Sequence, residues 1–202
     1  MSDAASARAR PGRRPGASGT REAILLAARA RFEEVGYDRA TIRAIAVQAG
    51  VDPALVMHFF GSKQQLFLDA IEMTIKPAEA VPAMLEDGLD GLGERLAAFY
   101  LDMWESPDTR DGLAGIMRSA FSHEDAAALL RGFLGSEVFG RLVPSIEGQD
   151  AALRVGLAGA HLVGIAIARY VVKVEPLASA DRDTVVAAVG PTIQRYFTGD
   201  AR

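Results

Sequence analysis

Three glycines, Gly36, Gly50 and Gly61, cut the front third of the chain into helices too short to stand alone. Ile24, Ala28, Phe32 and Val35 share one face, with Leu25 beside them, and predict a first helix from about Thr20 to Val35. Gly36 stands where a left-handed C-terminal cap is needed, and Tyr37 follows as the apolar residue beyond it. Thr41 is a good N-cap for a second helix, in which Ile42, Ile45, Ala46 and Ala49 repeat at i, i+3, i+4 and i+7. The run Gly50-Val51-Asp52-Pro53 ends that helix and caps the next. It also places a proline in the first turn, where its missing N–H costs nothing. This third helix reaches about Phe59, and Gly61 ends it. Ser62-x-x-Gln65 is a capping box that opens a fourth helix, continuing through Phe67, Ala70, Ile71 and Ile75.

Short helices with a tight Gly turn between the second and third form a helix-turn-helix. Val51, Val56 and Phe60 can face the first two helices, which leaves Pro53, Ala54, Leu55, Met57 and His58 looking outwards. A short braced helix with an exposed N-terminal half fits the major groove of DNA. Its free N–H groups and positive dipole end suit phosphate.

From Thr41 to Lys63 the sequence TIRAIAVQAGVDPALVMHFFGSK resembles the DNA-binding motif of the tetracycline-repressor (TetR) family. The resemblance covers roughly residues 18–75. It implies that Thr41 caps the second helix and touches a phosphate, and that Arg43 reaches phosphate or a guanine edge. It places Pro53, Ala54, Leu55, Met57, His58 and Phe59 on the recognition helix, and pairs Lys63 with a phosphate. Two positions depart from the family pattern: Met57 stands where Tyr is usual, and Ala54 where Gly is frequent. The apolar Ala54, Leu55 and Met57 can meet thymine methyl groups but cannot hydrogen-bond to bases. Polar readout is therefore expected from Arg43 and His58, with DNA shape contributing.

Charge follows the same division. Residues 1–65 carry 10 Lys/Arg against 6 Asp/Glu, whereas residues 66–202 carry 12 against 20. A basic front on an acidic body suits one polyanion-facing module. Residues 1–17 read as a disordered Arg-rich tail, with Arg8, Arg10, Arg13 and Arg14 able to add salt-dependent affinity along DNA. No apolar run follows this tail as it would in an export signal, so a cytoplasmic protein is expected. The chain has no cysteine, which excludes disulfides, thiol nucleophiles and thiolate metal sites. Val155 to Ala168 is the longest non-ionic stretch of the second half, and it reads as a buried helix rather than a membrane span.

The whole chain reads as all-α: a helix-turn-helix domain over 18–75, joined by the fourth helix to a helical regulatory and dimerisation domain over 76–202. Pro77 and Pro82 are expected to kink or end the fourth helix. Further helices are expected at about 94–105, 107–121, 123–134, 136–145, 150–174 and 180–198, the last kinked at Gly190-Pro191. Gly156, Ala160, Gly164 and Ala168 recur every four residues, a small-residue stripe that lets another helix approach closely. The family resemblance implies that the last two helices of each subunit form a four-helix dimer interface.

The resemblance also implies a small-molecule pocket in the body. Phe99, Met103, Trp104, Met117, Phe121, Phe133, His161 and Ile165 are its candidate lining. His123-Glu124-Asp125 cannot all face one ion on a helix, and Ser122-x-x-Asp125 reads as a capping box, so no metal is expected. No cofactor is expected, and no nucleophile–base pair or phosphate-cradling loop supports an enzyme. The function implied is a homodimeric DNA-binding regulator, most simply a repressor, released from a palindromic double-stranded operator by a small apolar or amphipathic inducer. The alternative is a dimeric small-molecule-binding protein with altered or lost DNA binding.

Overall fold

The computed structural model describes residues 17–199 and is helical, with no strand among the described residues. The Arg-rich tail lies outside the described residues except for Ala17, which opens α1 (Ala17–Arg39). Gly36 breaks α1 with φ 77° and ψ 170°, so the turn to Arg39 is a separate step. Only glycine takes such an angle without strain. Next come α2 (Ile42–Ala49), α3 (Pro53–Phe60) and α4 (Lys63–Ile75). Lys76, in the left-handed region at φ 47°, ends α4, and Pro77 opens α5 (Pro77–Leu85) with Pro82 inside it. Then follow α6 (Leu92–Glu105), α7 (Pro107–Ser122) and α8 (Glu124–Phe133).

Where a break was expected near residue 135, the chain stays helical. A wide π turn over Leu134–Phe139 leads into the short α9 (Gly140–Leu142) and a tight 3₁₀ turn, Val143–Ser145. Neither Gly132 nor Gly135 takes a positive φ, and the Ser136 hydroxyl donates to the Gly132 carbonyl at 3.1 Å. α10 (Ala151–Ala166) widens into a π turn to Val171, and α11 (Arg182–Thr198) runs through Pro191.

The first apolar core joins the front helices to the body. Ile24, Phe32, Ile45, Val56 and Phe67 pack with Ile116 of α7 and with Ala126 and Phe133 of α8. α7 lies against α1 because its inner face is glycine: a Cβ at Gly115 would stand 2.8 Å from the Glu33 Cα. A second core holds Val81, Leu92, Val155, Leu162, Ile193 and Phe197. There Gly93 and Gly190 bring α6 and α11 together, and a Cβ at Gly93 would stand 2.4 Å from the Gly190 carbonyl oxygen.

Candidate nucleic-acid interface and regulatory cavity

The local sequence builds a helix-turn-helix by capping each short helix. The Thr41 hydroxyl accepts the Ala44 N–H at 3.2 Å. Gly50 closes α2 at φ 68°, and Asp52 Oδ1 accepts the Ala54 N–H at 2.7 Å to open α3. Val56 and Phe60 are buried and fix α3 to the core, whereas Pro53, Ala54, Met57 and His58 are exposed. Leu55 and Phe59 depart from the expected outward set. Both are half-buried, Phe59 because it packs against the first core with its ring beside His58.

Arg43 is exposed on α2, in a shallow groove with Arg31, Thr41, Val47 and Gln48. Ser62 Oγ accepts the Gln65 N–H at 3.0 Å and so starts α4. Lys63 is half-buried there. Its Nζ donates to the Asp38 carbonyl at 3.2 Å and lies 4.4 Å from the centre of the Tyr37 ring. Burial lowers the Lys63 ammonium pKa, and the Asp38 charge opposes the shift. An ammonium has three donors, so donors remain for a phosphate at the head of α4.

The body encloses an apolar cavity of about 260 Å³ between α5, α6, α9 and α10. Phe99 and Met103 of the predicted lining stand in its wall. The other six stand elsewhere. Trp104 is buried and stacked on Tyr170 at 5.5 Å, and Met117 packs into the same satellite cluster. Phe121 is exposed at the end of α7, and Phe133 belongs to the first core. His161 turns edge-on to Tyr196, and Ile165 is half-buried away from the cavity. Aromatic and Met residues are ordinary core formers, so composition alone does not separate wall from core. Val81, Met84, Leu134, Val138, Phe139 and Leu162 complete much of the wall, and Tyr100 brings the one hydroxyl among its lining side chains. Burial raises the Tyr100 phenol pKa. Ile75 and Pro77, at the junction of α4 and α5, also line the cavity. A groove sharing Ile75, Ala80, Phe99 and Met103 with it carries Arg29, Lys76, Glu79 and Asp108.

The small-residue stripe faces outwards in part. Ala160 and Gly164 are exposed, Gly156 and Ala168 half-buried, and Leu153 and Leu157 are exposed beside them. The helical run Ala151–Val171 is longer than the stretch expected to be buried. Its most apolar 18-residue window has a mean hydropathy of 1.7 and is only 33% buried, so by length and composition the run could cross a membrane. Arg154 and Arg169, near its ends, are buried within the chain. Arg154 Nη1 donates to the Gly199 carbonyl at 2.5 Å, and Arg169 Nη1 to the Leu177 carbonyl at 2.6 Å.

Contacts between the front helices and the body had no marker in the sequence. The Tyr37 N–H donates to Ser119 Oγ at 3.0 Å, and Arg118 Nη1 donates to the Glu33 carbonyl at 2.5 Å. The capping box expected at Ser122-x-x-Asp125 does not form. His123 is the N-cap of α8 without a side-chain cap bond, and its Nδ1 lies 2.6 Å from Asp38 Oδ2. The carboxylate 85 residues upstream takes the imidazole that local sequence would assign to a helix end.

Two family models match this arrangement, one described as bacterial regulatory proteins of the tetR family, over residues 24–70, and one as the tetracyclin repressor-like C-terminal domain, over residues 90–197. The HTH-type transcriptional regulator BetI of Agrobacterium fabrum is 30% identical over 179 residues, covering 82% of this chain and 84% of that protein. A TetR-family regulator from Streptomyces coelicolor A3 is 43% identical, with a TM-score of 0.69, over 93% of this chain and 99% of that one. NalD, the secondary repressor of the MexAB-OprM multidrug efflux pump in Pseudomonas aeruginosa, shares the fold at 21% identity and a TM-score of 0.69, over 90% of this chain and 97% of its own. A capped and exposed α3, cationic side chains on α2 and α4, and a helical body matched along its length by the family's C-terminal model together place the chain in the TetR family of DNA-binding transcriptional regulators.

Proposed function

We propose that this chain is a homodimeric repressor that holds a palindromic operator and releases it when a small apolar or amphipathic molecule enters the body. In this reading residues 18–75 are the reading head and residues 76–202 the regulatory and dimerisation body, working in the cytoplasm where the DNA is. Thr41, Arg43 and Lys63 meet the backbone or a guanine edge. Pro53, Ala54, Met57 and His58 enter the major groove, with Leu55 and Phe59 bracing the helix from its flank. NalD is described as a repressor, and the same sign of regulation is the simplest for this chain.

The observation that carries ligand release is the place of α4. Its first residue, Lys63, is the one read here as meeting phosphate, and Ile75 at its end lines the cavity together with Pro77. A molecule filling the cavity presses one end of a rigid helix whose other end meets phosphate. The wall is almost wholly carbon, which suits a neutral apolar body, and the polar groove beside it accommodates a head group. Gly156, Ala160, Gly164 and Ala168, with Leu153 and Leu157, meet a second copy. Two recognition helices then read two half-sites, which one helix alone cannot do.

The test is a reciprocal titration. Neutral apolar compounds are screened for binding to the full chain, and the DNA affinity is measured with and without each hit. A true inducer weakens DNA binding, and DNA weakens the inducer's binding by the same factor. Compounds that fill the cavity and leave DNA affinity unchanged would overturn ligand release, because a ligand shifts an equilibrium only by binding two states differently.

A further inference from the structure

We infer that His123, a residue of the regulatory body, is a positioning residue for the phosphate-binding Lys63, acting through Asp38. The inference rests on the reading that Lys63 meets a phosphate. The geometry is a three-member chain. The His123 Nδ1 at the start of α8 lies 2.6 Å from the Asp38 carboxylate. The carbonyl of the same Asp38 accepts the Lys63 ammonium at 3.2 Å, and the ring of the preceding Tyr37 lies 4.4 Å under it. Two bonds from one residue, one through its side chain and one through its backbone, therefore join the body to the cation at the head of α4.

The turn that carries Asp38 needs such a hold. Gly36 interrupts α1 at φ 77°, so Tyr37 and Asp38 are not fixed by the helix before them. The body fixes them instead: Ser119 Oγ accepts the Tyr37 N–H at 3.0 Å, and His123 takes the Asp38 side chain. The stacking of the half-buried Lys63 on the buried Tyr37 ring leaves the ammonium little freedom once this turn is set. A Lys that is already placed loses less side-chain entropy on meeting a phosphate than one sweeping through solvent. The charged neighbours of this corner are Asp38 on the turn, Lys63 on α4, and Glu124 and Asp125 on α8. Glu124 is paired with Arg131, and the field of Asp125 reaches Tyr37.

A double-mutant cycle on the full chain tests this, using a duplex recovered by selection from random-sequence DNA. His123→Ala should weaken binding about three- to tenfold per half-site, the scale of one ordinary intramolecular hydrogen bond, and His123→Lys, which restores a donor to Asp38, should recover most of it. Lys63→Ala should lower the slope of log affinity against log salt by about two, one for each copy on the duplex. In the Lys63→Ala background, His123→Ala should cost nothing further, because the group it positions is gone. Equal losses from His123→Ala in both backgrounds would show that His123 only supports the fold and would overturn the proposal. So would full affinity in His123→Ala. A salt slope unmoved by Lys63→Ala would instead remove the phosphate reading of Lys63, a distinguishable failure. Asp38→Ala repeats the cycle from the middle of the chain, with thermal unfolding of each variant confirming that it is folded.

Discussion

At the scale of single residues, the cations of the head divide by what they touch. Lys63 is braced against a carbonyl and a ring, which in the proposed reading leaves its remaining donors for phosphate, whereas Arg43 is exposed on α2 with no such brace. Lys63→Ala should therefore weaken all duplexes alike, while Arg43→Ala should also relax preference at one position, as competition titrations against point-changed duplexes would measure. Tyr170 is a second residue with a readable consequence. Burial, and then its bond to Glu105, push its phenol from 10.0 up to about 12. A raised phenol stabilises the fold fully below its unfolded value, and that contribution is lost as pH rises from 10.0 towards 12. Melting temperatures should fall over that window, less steeply in Tyr170→Phe, with Tyr37 and Tyr100, also raised, accounting for the remainder. The capping residues Thr41, Asp52 and Ser62 were readable in advance because each acts within three residues of itself. His123 was not, because its partner Asp38 is brought to it only by the packing of α7 and α8 on α1.

Elements show the same divide between local and tertiary causes. α2, α3 and α4 begin and end where glycine, proline and capping residues dictate. The body helices were readable as helices, but which of their faces meet a cavity depends on how α5, α6, α9 and α10 cross. Phe99 and Met103 therefore reach the cavity wall while Phe133 goes to a different core. Glycines in α7 and α8 give a paired prediction. Gly115→Ala places a Cβ 2.8 Å from the α1 backbone and should destabilise the fold by about 1–3 kcal/mol, outweighing the helix-propensity gain. Gly132→Ala meets nothing within 4 Å and should stabilise by up to about 1 kcal/mol. Urea or thermal unfolding reads both; the same sign at both sites would contradict the close α1–α7 packing.

For the whole molecule, the front helices and the body share one core, in which Ile116, Ala126 and Phe133 pack against α1, α2, α3 and α4. In the proposed dimer the open apolar face of α10 meets a second copy. Leu157→Asp should leave the monomer folded, shift sedimentation from two copies to one, and abolish operator affinity at concentrations where the parent chain binds. A dimer that persists in that variant would move the interface elsewhere. The most direct test of the central claim, that two copies present two α3 helices to one duplex, is selection from random DNA with the full chain. The expected product is an inverted repeat whose half-sites lie about 34–36 Å apart or a multiple of that. Enrichment of a lone unrepeated site, or none at all above background at moderate salt, would contradict it.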